Sequence, residues 1–430
     1  MRWFIRPFEQ ALIIRNTSVY RRPAVTSRTS LPVDAAPRHS LFAGIIRKAL
    51  KGVSKGRLVV VLPSGERVTL QGAFPGVEAE LTILKWRAVW KLIWSGDIGF
   101  GVGYRDGDWC THDLKSMLLW AAQNEGALND AGFGLVAGRL VTKVLHFARS
   151  NTRANSRRNI SEHYDLGNAF YAEWLDSSMS YSSAVYSSRE QTLEQAQSAK
   201  LDRIIELLEL KGGERVLEIG CGWGALAERL ILSHGCHVTG LTLSAPQRDF
   251  TIDRLTDLDV DHFADIRLQD YRDVTGQFDR VVSIEMIEAV GEAYWDAYFS
   301  TLRDCLKPGG IGVLQAITIE QRKFDVYRRQ PDFIQSHVFP GGMLPTDQIV
   351  QRQLCKVGLT LVSKSNFGQG YALTLAAWRE RFEKQWSKVQ SLGFDLTFRR
   401  LWNYYLVYCE TGFETGSLDV GHYKFERKNF

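Results

Sequence analysis

The run Val216-Leu217-Glu218-Ile219-Gly220-Cys221-Gly222-Trp223-Gly224 is an apolar stretch that ends in three glycines at alternate positions, and Ala225 to Leu232 continue in a helical pattern. Glycine adopts backbone conformations closed to other residues and lets the main chain come close to a ligand. Such a turn at the carboxyl end of the first strand is where an open α/β sheet binds its ligand. A nicotinamide dinucleotide would use the same place, but with the spacing G-x-G-x-x-G. Here the spacing is G-x-G-x-G, the acidic Glu218 precedes the turn, and Gln269-Asp270-Tyr271 follows a third strand. A carboxylate and an aromatic ring at that point suit an adenine, and the three features together favour S-adenosylmethionine. The second strand ends Leu241-Thr242-Leu243-Ser244 and lacks the carboxylate that commonly grips a ribose. Thr242, Ser244 and Gln247 are the polar groups available in its place.

These residues need a sheet to position them. Arg215 to Ile219, His237 to Leu241, Phe278 to Ile284 and Ile311 to Ile317 are apolar runs separated by helix-length segments. That alternation predicts a parallel sheet covered on both faces. Leu201, Ile204, Ile205 and Leu208 recur at helical spacing just before the first run. After about residue 320 the alternation ends: Asp347 to Val357 reads as a helix, Leu359 to Ser363 as a late strand, and Leu373 to Gln390 as a long helix. Trp378, Phe382 and Trp386 share one face of that helix, as core or as the wall of a channel. Upstream, Arg57 to Leu62 and Arg67 to Leu70 flank the turn Pro63-Ser64-Gly65, Ala79 to Leu84 follows, and Leu114 to Asn124 is helical, which makes a small α+β unit.

The 430 residues suit two or three units, and 45% hydrophobic with 23% charged residues is ordinary for a folded chain. The expected organisation is a basic extension over 1–40, an α+β domain over 41–150 and an α/β domain over 151–430. A net charge of +5 names no partner, but Arg2, Arg6, Arg15, Arg21, Arg22 and Arg28 stand against one acid, Glu9, before Asp34. A polyanionic surface fits that end. Leu41, Ile45, Ile46 and Leu50 with Arg47, Lys48 and Lys51 form the pattern of an interfacial helix, or of a helix packed on its own domain. An acid-poor beginning also admits a transit peptide. No apolar run reaches the roughly 18 to 20 residues that span a bilayer, so the expected location is cytoplasmic, peripheral on the inner membrane surface. Arg149, Arg153, Arg157 and Arg158 mark the domain boundary. No base-stacking or recognition motif accompanies the arginines, so nucleic acid is not an expected partner. The six cysteines form no CxxC, and His234, Cys236 and His237 read as loop and core, so no metal is expected.

The sequence resembles the cyclopropane-fatty-acyl-phospholipid synthases and the mycolic acid methyltransferases over about residues 158 to 425. The resemblance rests on His163-Tyr164-Asp165-Leu166-Gly167-Asn168, Met179-Ser180-Tyr181-Ser182-Ser183, the glycine turn, Gly240 to Gln247, Leu268 to Asp273, Ser283-Ile284-Glu285-Met286-Ile287-Glu288, and Phe339-Pro340-Gly341-Gly342. Gly96-Asp97-Ile98-Gly99-Phe100 and Asp106-Gly107-Asp108-Trp109 also look like the lipid-facing amino-terminal domain of full-length bacterial members. It implies a class I methyltransferase fold, a doubly wound sheet with a helical carboxyl-terminal cap, and contact of S-adenosylmethionine with Tyr181, Ser182, Gly220, Gly222, Thr242, Gln247, Asp270 and Tyr271.

In that family an alkene carbon of a cis-unsaturated acyl chain takes the sulfonium methyl, and bicarbonate removes a proton as a cyclopropane closes. The positions that hold bicarbonate correspond to Ser183, Glu288, Gln315, Ile317 and Tyr371, and Ser183 and Gln315 depart from the family's cysteine and histidine. A serine and an amide keep hydrogen-bonding capacity, but Gln315 does not titrate near neutrality as a histidine does. Whether bicarbonate binds is therefore left open. A histidine common after the glutamate is Ala289 here, so Glu288 is the leading candidate for a base, directly or through bicarbonate or water. The expected reaction is methyl or methylene transfer to unsaturated phospholipid chains at a membrane surface, giving a cyclopropane or a methyl-branched product. Methylation of a soluble small molecule and a non-catalytic lipid-binding protein are the alternatives, and a homodimer is left open.

Overall fold

Side chains of Lys55–Val61 (β1) and Arg67–Gln71 (β2) alternate between exposed and covered, so each strand buries one face. β1 pairs antiparallel with β2 and parallel with Phe74–Ile83 (β3), which pairs with the short Trp109–Cys110 (β4) to give the order β2-β1-β3-β4. Two helices pack near this sheet, Arg87–Arg105 (α1) and Leu114–Gln123 (α2). Asp113 caps α2 by accepting from the Ser116 amide. α1 bends at Gly96 (φ 59, ψ −132), and a side chain on its Gly101 would strike Phe333 at 2.5 Å. Gly99, Gly101 and Gly103 are there for close packing. The computed structural model describes residues 50–131 and 166–429, with Gly44 and residues 46–48. The basic extension, Leu41 and Ile45 of the candidate interfacial helix, the arginines from 149 to 158 and the segment His163-Tyr164-Asp165 lie outside the described residues.

The second sheet has seven strands in the order β10-β11-β9-β8-β5-β6-β7. Its parallel part comprises Arg215–Ile219 (β5), His237–Thr242 (β6), Ala264–Leu268 (β7), Phe278–Ile284 (β8) and Leu306–Ile319 (β9). Leu359–Asn366 (β10) and Leu418–Arg427 (β11) are antiparallel additions. β5 shows the burial expected of a strand covered on both faces: four of its five residues are buried. Leu193–Leu208 (α3), Ala225–His234 (α4) and Ala245–Asp257 (α5) are among its helices. The strand order reverses between β5 and β8, and this switch point is where a doubly wound sheet opens a crevice at its carboxyl ends. The α/β expectation therefore holds, with an amino-terminal α+β unit and a helical cap.

The cap is built on Gly368–Lys384 (α6) and Leu396–Glu414 (α7). Trp378 and Phe382 of α6 are fully buried, and Trp378 meets Trp174 edge to face at 5.6 Å. They pack core and do not line the large cavity described below. Burying an aromatic side chain of this kind contributes roughly 1.5–3 kcal/mol. The same apolar cluster runs from Leu58, Val60 and Trp120 in the amino-terminal unit to Trp378 and Phe413 in the cap. The two parts thus share a core.

Candidate active site

The glycine turn follows β5 at the switch point. Gly220, Gly222 and Gly224 have φ of 86°, 54° and 81°, and the amides of Gly220 and Cys221 both donate to the Leu241 carbonyl at 3.0 Å. A Cβ on Gly222 would meet no atom within 4 Å, so this glycine leaves space open. One on Gly224, at the head of α4, would strike Thr251 at 2.4 Å, so that glycine serves packing. The turn borders a cleft of about 160 Å³ lined by Tyr181, Ser182, Glu218, Gly220, Gly222, Thr242, Gln247 and Tyr271. Gln269 lines it too, but the Asp270 carboxylate accepts from the Arg272 guanidinium at 2.6 and 2.8 Å. The aromatic member of the Gln269-Asp270-Tyr271 set faces the cleft, while the carboxylate turns to arginine.

Thr242 donates to the Gln247 amide oxygen at 2.9 Å, which fixes two polar groups on one wall. Also lining the cleft, the buried Lys200 ammonium donates to Ser182 Oγ at 2.9 Å. Burial pulls Lys200 down to about 8 against the opposing carboxylates Asp176, Glu285 and Glu218. Burial also lifts Glu218 to about 8, with Lys200 opposing. Glu218 Oε2 is buried without a hydrogen-bond partner among the described residues. An orphaned carboxylate oxygen beside an open glycine and an aromatic wall fits a ligand that brings its own donors and an adenine, as S-adenosylmethionine does.

The five positions that resemblance assigns to bicarbonate come together at the ends of β8 and β9. They converge on two carboxylates. Glu285 Oε1 accepts from the Ser183 amide at 2.8 Å and from Gln315 Nε2 at 2.7 Å, and Oε2 accepts from the Tyr371 hydroxyl at 2.7 Å. Glu288 Oε1 accepts from the Ile317 amide at 2.5 Å, and its Oε2 has no partner among the described residues. The Ser183 hydroxyl donates to the Ala184 carbonyl instead of facing the cluster. Glu285 escapes a reading by motif position because none of the five assigned positions is its own. An acidic residue one step past β8, at the carboxyl edge of a parallel sheet, is the signal that finds it. His422 is the second residue missed. It stands opposite Gln315 in the β9–β11 register, with Nε2 2.9 Å from the amide oxygen. Burial drops its pKa to about 3, with Lys200 and Arg203 adding to the effect, so the ring stays neutral. It donates to Gln315 and thereby turns the amide NH2 toward Glu285.

Burial raises Glu288 to about 8, with the Glu285 charge adding to it. Burial also raises Glu285, but Ser183, Tyr371, Gln315 and Lys200 oppose the rise. Both carboxyls are thus lifted by burial, and the donors that oppose the rise converge on Glu285, whereas Glu288 has the Ile317 amide alone from a neighbour. A carboxyl raised in the folded state contributes stability that is complete below its unfolded value and is lost as pH climbs through its folded one. Urea denaturation of the cofactor-free protein is expected to show stability falling from about pH 4.5 through about 8. Glu288→Gln should reduce that loss by on the order of 1–2 kcal/mol, allowing for water in the cavities.

A second cavity, of about 820 Å³, meets the cleft. This is within the ~300–1,000 Å³ typical of small-molecule sites. Leu58, Val60, Leu81 and Ile83 of the first sheet, Met117 and Leu118 of α2, and Tyr404 and Tyr405 of α7 are among its walls. Arg322 and Lys323 also line it, and Arg322 is 77% exposed. Tyr181, Glu285 and Ala289 line both this cavity and the cleft. The remaining accessible surface of Glu285 thus faces the junction of the two. Among the described residues no helix is long and apolar enough to cross a membrane.

Residues 151–423 match the family described as mycolic acid cyclopropane synthetase. The tuberculostearic acid methyltransferase UfaA1 of Mycobacterium tuberculosis is 38% identical over 344 residues, covering 76% of this chain and 78% of the relative. The cyclopropane-fatty-acyl-phospholipid synthase of Escherichia coli K12 is 35% identical over 339 residues, covering 78% and 85%. Among solved structures, the cyclopropane synthase MmaA2 of Mycobacterium tuberculosis superposes with a TM-score of 0.59 at 30% identity, over 63% of this chain and 97% of that one. The mycolic acid cyclopropane synthase CmaA1 complexed with SAH and CTAB gives 0.59 at 29% identity, with the same coverage.

Proposed function

The chain belongs to the mycolic acid cyclopropane synthetase family, S-adenosylmethionine-dependent enzymes that methylate lipid acyl chains, and from that premise we propose that its substrate is the cis-unsaturated chain of a membrane phospholipid. The observation that carries this reading is the junction. A cleft that fits the cofactor opens on a larger, apolar cavity at Tyr181, Glu285 and Ala289. The apolar cavity accepts a hydrocarbon chain by burial alone, and Arg322 and Lys323 on its wall, which pair with Glu320 and Glu125, would exchange those partners for the phosphate of an anionic head group. The relative from Escherichia coli is named for fatty-acyl phospholipid, which agrees with this choice.

Tyr181, Ser182, Glu218, Gly220, Gly222, Thr242, Gln247 and Tyr271 hold S-adenosylmethionine in this reading. When bound, it supplies an electrophilic methyl group that an alkene attacks. The chain's own part is to place the double bond beside the cleft, to exclude water from the electron-deficient acyl carbon left after transfer, and to remove a proton. Ser183, Gln315 and Tyr371 fix the Glu285 carboxylate, and Ile317 fixes that of Glu288. The protein works at a membrane surface, where its substrate is embedded.

The test uses the purified full chain, S-adenosylmethionine labelled in its methyl group, and vesicles of dioleoyl or of fully saturated phosphatidylglycerol. Label is expected in the fatty acids saponified from the dioleoyl vesicles alone. Label confined to free oleate added in solution, with none in either vesicle, would contradict the phospholipid assignment.

A further inference from the structure

Bicarbonate, the proton acceptor implied by the family resemblance, does not fit the donors present in this chain. Of the five matching positions, the Ser183 amide, the Gln315 NH2 and the Tyr371 hydroxyl already point at Glu285, and the Ile317 amide points at Glu288. The Ser183 hydroxyl is taken by the Ala184 carbonyl, and the other side of the Gln315 amide by His422. A free anion there would meet a buried carboxylate in place of donors, and like charges in a low-dielectric cavity repel strongly. We propose that the Glu285 carboxylate takes both the place and the task of bicarbonate, so that this enzyme carries its proton acceptor within the chain and needs none from solution. The inference rests on the acyl-methylation reading and names the base within it.

Three observations support the assignment. Glu285 lines both the cofactor cleft and the large cavity, where methyl donor and acyl chain have to meet. An ionised carboxylate offers about four acceptor sites. Three are filled, which leaves one on Oε2 for a proton. The backbone of Glu285 sits at φ 49, a left-handed conformation unfavourable for a residue with a side chain. It is held there by its amide, which donates to the Gln315 carbonyl at 2.9 Å, and by three bonds to its side chain. Strain that the surroundings over-determine is found at functional positions.

The electron count closes. The π pair of the alkene makes the new C–C bond to the methyl carbon while the C–S pair leaves with sulfur, and the neighbouring acyl carbon becomes electron-deficient. A proton of the new methyl passes to Glu285 Oε2, and the C–H pair closes the ring. If a hydride first moves from the methylated carbon to its neighbour, the same proton loss leaves a methylene branch. In either case the proton ends on Glu285 and exchanges with solvent before the next turnover.

The experiment compares wild type, Glu285→Gly and Glu285→Gln as full chains, in buffer stripped of carbon dioxide and again with bicarbonate or formate added. Glycine is at ease at φ 49, so Glu285→Gly empties the anion site without straining the turn. Wild-type turnover is expected to change less than about twofold with bicarbonate, and Glu285→Gly to fall by about 100-fold or more. Glu285→Gly should regain at least about tenfold when either small anion is supplied, and Glu285→Gln should stay low. Independently of activity, bicarbonate should raise the melting temperature of Glu285→Gly and leave that of wild type unchanged. Wild-type activity that collapses on stripping and returns with bicarbonate would overturn the proposal, as would full turnover in Glu285→Gly. Were wild type to methylate no acyl chain at all, the acyl reading would fail. The melting shift, present in the glycine variant and missing from wild type, would still decide who occupies the anion site.

Discussion

Replacing Tyr371 by phenylalanine is expected to lower acyl methylation by about 100-fold while S-adenosylmethionine affinity stays within about threefold. The hydroxyl donates to Glu285 Oε2 at 2.7 Å and lies deep in the core, where burial and the adjacent Glu285 charge raise its pKa and keep it a donor. A hydrogen bond to a charged acceptor contributes roughly 1.5–3 kcal/mol, which corresponds to about 10- to 150-fold in rate if it is fully expressed in the transition state. Losing it leaves Glu285 with Ser183 and Gln315 as side-chain-directed donors, raises its pKa further and frees the carboxylate to rotate. The ring itself stacks on Phe413 at 4.4 Å and survives the change, so the fold should as well. Single-turnover measurements with labelled methyl, beside cofactor titration, separate this outcome from a loss of cofactor. A variant that binds cofactor poorly and reacts normally once saturated would assign Tyr371 to the cleft.

Gly222→Leu should weaken S-adenosylmethionine binding by about 100-fold or more, roughly 3 kcal/mol, with the protein still folded. The three glycines of the turn differ in what surrounds them. A Cβ on Gly224 runs into Thr251, and one on Gly220 meets Met286 at 2.9 Å, so substitution at either disturbs the fold itself. At Gly222 nothing lies within 4 Å, and the residue lines the cleft. A leucine there projects into a space of about 160 Å³. The left-handed φ of 54° adds a backbone cost of roughly 1–2 kcal/mol. Calorimetric titration with S-adenosylmethionine, beside a thermal melt, tests both halves of the expectation. Unchanged affinity would move the cofactor out of this cleft.

The central parallel strands were legible because they are covered on both faces and so read as continuous apolar runs: β5 and β8 begin and end where the pattern puts them, whereas the edge strand β7, with Asp265 and Arg267, shows no such run. β11 hides the same burial behind Asp419, His422, Lys424 and Glu426. Its Lys424 is buried and pairs with Glu209, and its His422 serves Gln315, so polar partners stand where apolar residues would advertise a strand. α1 is obscured by Gly96, Gly99, Gly101 and Gly103, which resemble turn residues in sequence. Gly99, Gly101 and Gly103 are small because Lys91, Phe333, Tyr404 and Trp109 come close, and Gly96 because the bend needs its positive φ. The chain divides near residue 150 in its pattern, but Leu58 and Trp120 share a core with Trp378, a long-range contact that periodicity does not encode.

In the site, the glycine turn was readable from spacing because glycine's backbone freedom is a local property. The base we propose was not, because it depends on which carboxylate the fold surrounds with donors. Glu288 drew attention by its motif position, whereas the donors from β9, α6 and the Ser183 loop converge three residues earlier, on Glu285. Sequence spacing places both carboxylates after the same strand. Only the tertiary arrangement gives one of them three donors and the other a single backbone amide.

The most direct measurement is mass spectrometry of total fatty acids from cells rich in cis-monounsaturated lipids that make no methylated acids of their own, expressing this chain or its Glu285→Gln variant. Monounsaturated acids that gain one CH2 unit with the wild type and not with the variant are the predicted result, and hydrogenation then distinguishes a ring from a branched alkene. An unchanged fatty-acid profile, from cells holding folded protein that binds S-adenosylmethionine, would contradict phospholipid acyl chains as the substrate.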